Sequence, residues 1–120
     1  MKAEKPQDLR IRTRVFALSL ISLYDIIPST TPGRIIAGQV LRSGTSVGAH
    51  YSEAVRAKSN ADFISKLEGG LQELQETEYW LELLKESGLL AADKAESLIK
   101  ECNELISIFV SIINKVKNKR

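Results

Sequence analysis

Residues 95–116 read AESLIKECNELISIFVSIINKV, and this stretch decides the fold class. Its apolar side chains recur at alternating intervals of three and four residues, which places them on one seam of a helix that faces partner helices. The seam consists of Ala95, Leu98, Cys102, Leu105, Phe109, Ile112 and Val116. Leucines at a similar spacing, with acids and glutamines opposite, occupy residues 63–84. No strand pattern occurs, so the sequence predicts an all-α protein.

Signals for helix ends divide the chain into four helices joined by short loops. Pro28 stops the first helix, and Thr31 before a proline is typical of an N-cap. Ser59, with an Asp three residues later, resembles a capping box, and Gly88 suits the left-handed position after a helix. These signals predict an antiparallel up-down-up-down four-helix bundle in a single domain of residues 1–120. The predicted helices span residues about 8–27, 32–57, 60–87 and 92–117.

The predicted first helix is apolar over most of its circumference. Between residues 15 and 27 only Ser19, Ser22 and Asp25 are strongly polar. A helix with so narrow a polar stripe is buried on more than one side, which is typical of a subunit interface. The candidate interface residues are Phe16, Leu20, Leu23 and Tyr24. An apolar run of about 13 residues is too short to span a bilayer, and no small-residue cleavage site follows it, so neither a membrane span nor a signal peptide is favoured.

Small residues are concentrated in the second helix, where helices usually carry larger side chains. Gly44 and Gly48 lie four positions apart, which permits close approach of a neighbouring helix. Each interior glycine costs about 1 kcal/mol relative to alanine, so packing or function must compensate. Gly69 and Gly70 of the third helix are candidates for the facing surface. Tight helix packing is the favoured interpretation, and a shallow groove for a ligand is the alternative.

The composition argues against most classes of enzyme and metal site. The 120 residues include one Cys and one His, and the net charge is +2. One Cys excludes an internal disulfide framework and a Cys-based zinc cluster. Carboxylate-bridged di-metal bundles need Glu-x-x-His twice, whereas His50 precedes Glu53 here. Because no phosphate loop or Ser-His-Asp order is present either, we expect no catalytic activity, no metal and no cofactor.

Three segments are similar to one known protein family. They are QVLRSGTSVGAHYSEA at residues 39–54, DFISKL at 62–67 and ETEYWLELL at 76–84. They resemble the four-helix bundle family encoded by intervening sequences in bacterial 23S rRNA genes, often labelled S23 ribosomal proteins. The resemblance covers nearly the whole chain and implies subunits that assemble into rings of five. The accessory variability protein of diversity-generating retroelements, a pentamer that binds nucleic acid and a reverse transcriptase, is a relative of that family.

The family motif marks a set of polar residues as a candidate site. They are Arg42, His50, Glu53 and Glu76. His50 stands where the family usually has Asn, and Ser52 where Arg is common, so a site built on those positions is altered here. From charge alone, Arg42 is expected to pair with a carboxylate of the third helix, Glu73 or Glu76. Contact with a ligand or nucleic acid is the alternative.

Positive charge is concentrated at one end of the predicted bundle, which we call the basic pole. An up-down-up-down topology brings the starts of the first and third helices beside the ends of the second and fourth. The cations of the basic pole are Arg10, Arg12, Arg14, Arg56, Lys58, Lys115, Lys117, Lys119 and Arg120. A ring of five subunits would repeat this surface and favour binding to phosphate backbones.

We therefore expect a cytoplasmic, non-enzymatic homo-oligomer that binds RNA or DNA through the basic pole. Two alternatives stay open. The cations are solvated chain ends that aid solubility, or the protein is a scaffold that binds another protein without touching nucleic acid.

Overall fold

Helices make up most of the chain that the structure describes. The computed structural model describes residues 6–119, and within that range it contains four helices and no strand. They are α1 (Pro6–Tyr24), α2 (Thr31–Val55), α3 (Asn60–Glu86) and α4 (Ala92–Asn118). Each helix packs against the next one along the chain, with short connections between them. The predicted all-α, antiparallel four-helix bundle is confirmed.

The helix ends follow most of the predicted signals, with two corrections. α1 ends at Tyr24, three residues before the predicted end at residue 27. The N-cap of α2 is Thr30 rather than Thr31, since the Thr30 hydroxyl accepts a hydrogen bond from the backbone N–H of Gly33 at 3.1 Å. The Ser59 hydroxyl caps α3 as predicted by accepting from the N–H of Asp62 at 3.1 Å. Gly88 has a φ of +77°, the left-handed conformation predicted for it.

The core forms along the predicted α4 seam. Five seam residues are fully or nearly fully buried, and they are Ala95, Leu98, Cys102, Leu105 and Phe109. Ile112 and Val116 are only partly buried against the same cluster, and the buried residues at this end of α4 are Ile108 and Ile113, which lie outside the predicted seam. The Cys102 thiol donates a hydrogen bond to the backbone carbonyl of Leu74 at 3.1 Å. Burial raises the pKa of this thiol to about 12, so Cys102 is a packed core residue.

α1 is apolar on two opposite faces, but the predicted interface residues lie on the inner one. Phe16, Leu20 and Leu23 are buried in the core of the subunit itself, so the prediction that they form a subunit interface is wrong. They point inward because they share one side of α1 with Leu9. Tyr24 remains exposed at the end of the helix.

The opposite face of α1 carries an exposed apolar stripe. We define it by Ile11, Val15 and Leu18, whose exposed fractions are 61%, 55% and 55%. These residues are spaced four and three apart, so they align on one helical face that the fold leaves uncovered. The uncovered apolar surface predicted for the first helix is therefore present, but Ile11, Val15 and Leu18 form it and the predicted interface residues Phe16, Leu20 and Leu23 do not.

Glycines set the separation between α2 and α1. A methyl group at Gly44 would overlap Cδ1 of the buried Leu20, and one at Gly48 would lie 3.3 Å from the Thr13 hydroxyl. Gly69 and Gly70 do not face these glycines, contrary to the prediction. They lie against His50 of α2, with Gly70 also against Phe109 of α4.

Candidate nucleic-acid interface

The structure brings most of the predicted cations to the basic pole. Arg10 on α1 lines a groove shared with Ser52 near the end of α2, and Lys117 near the end of α4 contacts Glu68 near the start of α3. Six of the cations are exposed, and within the described chain no carboxylate forms an ion pair with them. They are Arg10, Arg14, Arg56, Lys58, Lys115 and Lys119. Arg120 lies outside the described residues.

Two predicted cations are engaged in ion pairs with acidic side chains. Arg12 donates two hydrogen bonds to Glu101 of α4, both at 2.8 Å, and a third to Glu104 at 2.6 Å. This bidentate geometry ties α1 to α4, so the structure gives Arg12, predicted as a nucleic-acid-binding residue, a structural role. The Lys117 ammonium lies 3.3 Å from Glu68 on an exposed surface. Phosphate binding at either residue would have to displace a carboxylate.

An open groove lies between α1 and α2, and we call it the α1–α2 groove. Its volume is about 230 Å³. Arg10 and Arg14 stand on the α1 side, and Thr45 and Ser52 contribute hydroxyl groups from the α2 side. The remaining lining residues are small, namely Thr13, Ala17, Gly48 and Ala49. The groove therefore combines two cations with hydroxyls on a base that carries no bulky side chain.

Helical geometry places the two arginines on the same wall. Arg10 and Arg14 are four residues apart, so they are neighbours on one face of α1, about 5 to 6 Å apart at Cβ. Burial raises the pKa of the nearby Tyr51 phenol, and the positive charge of Arg10 opposes that rise.

The matched motif residue Arg42 belongs to a separate cluster on the surface of α2 and α3. Its guanidinium pairs with Glu76 and lies 3.4 Å from Glu73, and it also donates to the Gln39 side chain at 3.1 Å. The predicted pairing of Arg42 with the third helix is confirmed, with both carboxylates as partners. The indole N–H of Trp80 donates to Glu76 at 3.1 Å. We call these residues the Arg42 cluster.

Hydrogen bonding sets the protonation states within the Arg42 cluster. The Trp80 indole, and then Arg42, hold the pKa of the Glu76 carboxyl below its usual range. The Glu76 carboxylate in turn raises the pKa of Arg42. Both charges are therefore fixed near neutral pH, which suits a structural link between α2 and α3.

The other two motif residues, His50 and Glu53, lie on α2 opposite the glycine pair of α3. The imidazole fits against Gly69, where an added methyl would lie 2.8 Å from the ring. Its Nδ1 atom is buried without a hydrogen-bond partner and lies 3.8 Å from a Glu53 carboxylate oxygen. This distance exceeds that of a hydrogen bond. The structure therefore brings His50 close to Glu53 but separates both from Arg42, so the four motif residues do not form one site.

Sequence reasoning missed two parts of this surface. The partners of Arg12 were not identified, although Glu101 and Glu104 are spaced to share a face of α4. The groove was considered only as an alternative to tight packing, and Thr45 and Ser52 were not assigned to it. The structure shows that small residues of α2 both pack closely against α1 and line an open groove.

Two features are absent from residues 6–119. In that part of the chain, no group of three or more His, Cys, Asp or Glu side chains is arranged to hold a metal ion. None of the described helices has the length and apolarity required to cross a membrane.

Comparisons with known proteins agree with the geometry of the bundle. A family model described as "23S rRNA-intervening sequence protein" matches residues 7–111. The chain is also similar to a crystal structure of a protein of unknown function from the S23 ribosomal protein family of Bacteroides thetaiotaomicron. The identity is 37%, the alignment covers 92% of this chain and 99% of the other, and the TM-score is 0.86. Comparison with curated proteins found no match.

Proposed function

This chain belongs to the 23S rRNA-intervening sequence protein family, and from that premise we propose that it is a non-enzymatic, homo-oligomeric protein that binds the backbone of RNA or DNA through its basic pole. The observation that carries the proposal is the contrast among three neighbouring arginines of α1. Arg12 is paired with two carboxylates, whereas Arg10 and Arg14 face an open groove. The positive charges of Arg10 and Arg14 are therefore available to bind phosphate.

The unpaired cations suit phosphate binding without sequence preference. Each phosphate that such a cation neutralises releases a condensed counterion, so binding weakens as salt rises. The described surface of the pole offers Arg56, Lys58, Lys115 and Lys119 in addition to the two groove arginines. As part of the same proposal, the protein acts in the cytoplasm.

The exposed apolar stripe of α1 supports assembly into a homo-oligomer. Three large aliphatic side chains aligned on one uncovered helical face are typical of a protein–protein contact. Burying this stripe between copies would repeat the basic pole in each subunit, and multivalent binding then exceeds the affinity of one subunit. A ring of five follows from the family resemblance.

The assembly is tested by adding charge to the stripe. Leu18→Glu is expected to lower the sedimentation-velocity mass to that of the monomer, because the charge would be buried in the contact. Ile35→Glu is the matched control, since Ile35 is an exposed residue of α2 and lies outside the stripe. An oligomer that is unchanged by Leu18→Glu would contradict the proposed contact.

Nucleic-acid binding is tested by anisotropy of labelled RNA across a salt series from about 50 to 200 mM. The wild type should bind with a steep negative dependence of log affinity on log salt. Arg10→Ala/Arg14→Ala should weaken binding and reduce the salt slope by about 0.7 to 0.9 per lost phosphate contact. Arg34→Ala/Lys94→Ala removes two exposed charges at the opposite end of the bundle and should leave both quantities unchanged.

Two results would overturn the proposal for nucleic acid. One is no binding by the wild type at about 50 mM salt, and the other is binding that does not respond to salt.

A second function, a scaffold that binds another protein, is favoured by one separate observation. Tyr79 is exposed beside the Arg42 cluster and packs edge-on against Trp80, with ring centroids 5.0 Å apart. Aromatic side chains with polar neighbours are enriched at protein interfaces. A pull-down after nuclease treatment separates the two functions. A stoichiometric protein partner lost on Tyr79→Ala would support the scaffold.

A further inference from the structure

We propose that the α1–α2 groove is a binding site for the phosphodiester backbone of an unpaired nucleic-acid strand. This inference rests on the proposed function and deepens it, because it names the part of the basic pole that binds and the form of nucleic acid that fits.

The walls of the groove supply complementary chemistry for a phosphodiester. Arg10 and Arg14 present guanidinium groups, which match phosphate oxygens in pairs of hydrogen bonds. Across the groove, the Ser52 hydroxyl can donate to a phosphate oxygen. The Thr45 hydroxyl donates to the Leu41 carbonyl at 2.7 Å and retains its lone pairs as acceptors for a sugar hydroxyl.

The shape of the groove favours a single strand. A volume of about 230 Å³ holds a phosphate with part of its sugar, but it does not admit a duplex between the helices. Gly48 and the small side chains of Ala17 and Ala49 leave room along the groove, so the backbone of the strand can approach the helices closely.

The lining also predicts indifference to base sequence. None of the described residues that line the groove is aromatic. Aromatic platforms provide base stacking in many single-strand binding proteins, worth about 1 to 3 kcal/mol per base. Without them, the bases stay outside and only the backbone is bound. Oligouridine and mixed-sequence strands should therefore bind equally.

A bulky, uncharged substitution in the groove tests the contribution of the groove to binding without changing the charge of the basic pole. Ala49→Leu places a larger side chain in the groove without altering any charge. Ala92→Leu is the matched control, since Ala92 is an exposed helical residue at the opposite end of the bundle. Circular dichroism and thermal unfolding establish that both variants fold.

The experiment measures anisotropy with a labelled oligouridine of about 20 nucleotides, longer than the roughly 4 to 16 nucleotides of a typical single-strand site. A duplex of equal length is measured beside it. We expect the wild type to prefer the single strand, and Ala49→Leu to lower single-strand affinity about tenfold, as for loss of one or two phosphate contacts. Inorganic phosphate should compete no better than chloride at equal ionic strength, which distinguishes a strand site from a free-ion site.

The outcomes distinguish this inference from the proposed function. If the wild type binds in a salt-dependent manner but Ala49→Leu matches Ala92→Leu, the basic pole stands and the groove site is overturned. Equal or tighter binding of the duplex also overturns it. If the wild type binds no nucleic acid, the proposed function fails and the groove inference fails with it.

Discussion

Replacing Arg12 by alanine should destabilise the bundle and leave nucleic-acid binding almost intact, the reverse of the effect expected at Arg14. The Arg12 guanidinium makes three charge-assisted contacts to Glu101 and Glu104 across the α1–α4 boundary. Its loss also leaves two carboxylates three residues apart on α4 with their repulsion uncompensated. Arg14 has no carboxylate partner within the described chain.

The size of the effect follows from geometry and exposure. Hydrogen bonds to charged groups contribute about 1.5 to 3 kcal/mol when buried. The side chains of Arg12, Glu101 and Glu104 are 25%, 32% and 50% exposed, so solvent screening reduces this to about 1 to 2 kcal/mol. Unfolding entropy is about 2.1 cal/mol/K per residue, so a chain of this length should lose roughly 4 to 8 °C in Tm.

The assay is thermal unfolding followed by circular dichroism at one fixed protein concentration, so that oligomerisation does not alter the comparison. Arg12→Ala and Arg14→Ala are compared at low salt and again at about 1 M salt, where screening should narrow the difference. An Arg12→Ala variant that melts at the same temperature as the wild type, or an Arg14→Ala variant that is the more destabilised of the two, would contradict the structural role of Arg12.

Three other predictions test the packing and the Arg42 cluster. Gly44→Ala should lower the free energy of unfolding by about 1 kcal/mol, because overpacking against Leu20 outweighs the gain in helix propensity. Gly38→Ala should raise the free energy of unfolding, because no neighbouring atom lies within 4 Å of the added methyl. Urea unfolding measures both changes. Cys102 should react with a thiol reagent only as the protein unfolds, since its pKa is about 12; labelling at neutral pH in the native state would contradict this. The hydrogen bond from Trp80, and then the one from Arg42, lower the pKa of Glu76 in the folded state. The Glu76 carboxylate therefore stabilises the fold above the ordinary glutamate pKa, and this stabilisation is lost as pH falls through the pKa of Glu76 in the folded state. The stability difference between wild type and Glu76→Gln, followed by fluorescence of the single tryptophan, should therefore disappear in acid.

The architecture was predictable because local signals and core periodicity agreed. The α4 seam specified its buried face since each apolar residue follows a three-four spacing, and Ser59 and Gly88 marked helix ends through their own backbone chemistry. The N-cap of α2 was misplaced by one residue because two adjacent threonines precede the proline, and either one can cap. The geometry of the turn places Thr30 at the N-cap position.

The candidate site was less predictable because it depends on which side chains meet across helices. The sequence does not distinguish three arginines at alternate positions of α1, namely Arg10, Arg12 and Arg14, yet only Arg12 pairs with the carboxylates of α4. Similarly, the apolar excess of α1 was visible in the sequence, but its two faces are both apolar and no local signal distinguishes Leu20 from Leu18. Position around the helix, relative to neighbours distant in sequence, decides these roles.

The glycine at position 48 has a consequence for how this surface can change during evolution. Gly48 lines the α1–α2 groove, and a methyl group added at this position would lie 3.3 Å from the Thr13 hydroxyl. A change to alanine would therefore make the channel shallower while leaving every charge in place. The depth and the positive charge of the α1–α2 groove depend on different residues. Mutations can therefore change the depth of the groove without changing its charge, or its charge without changing its depth.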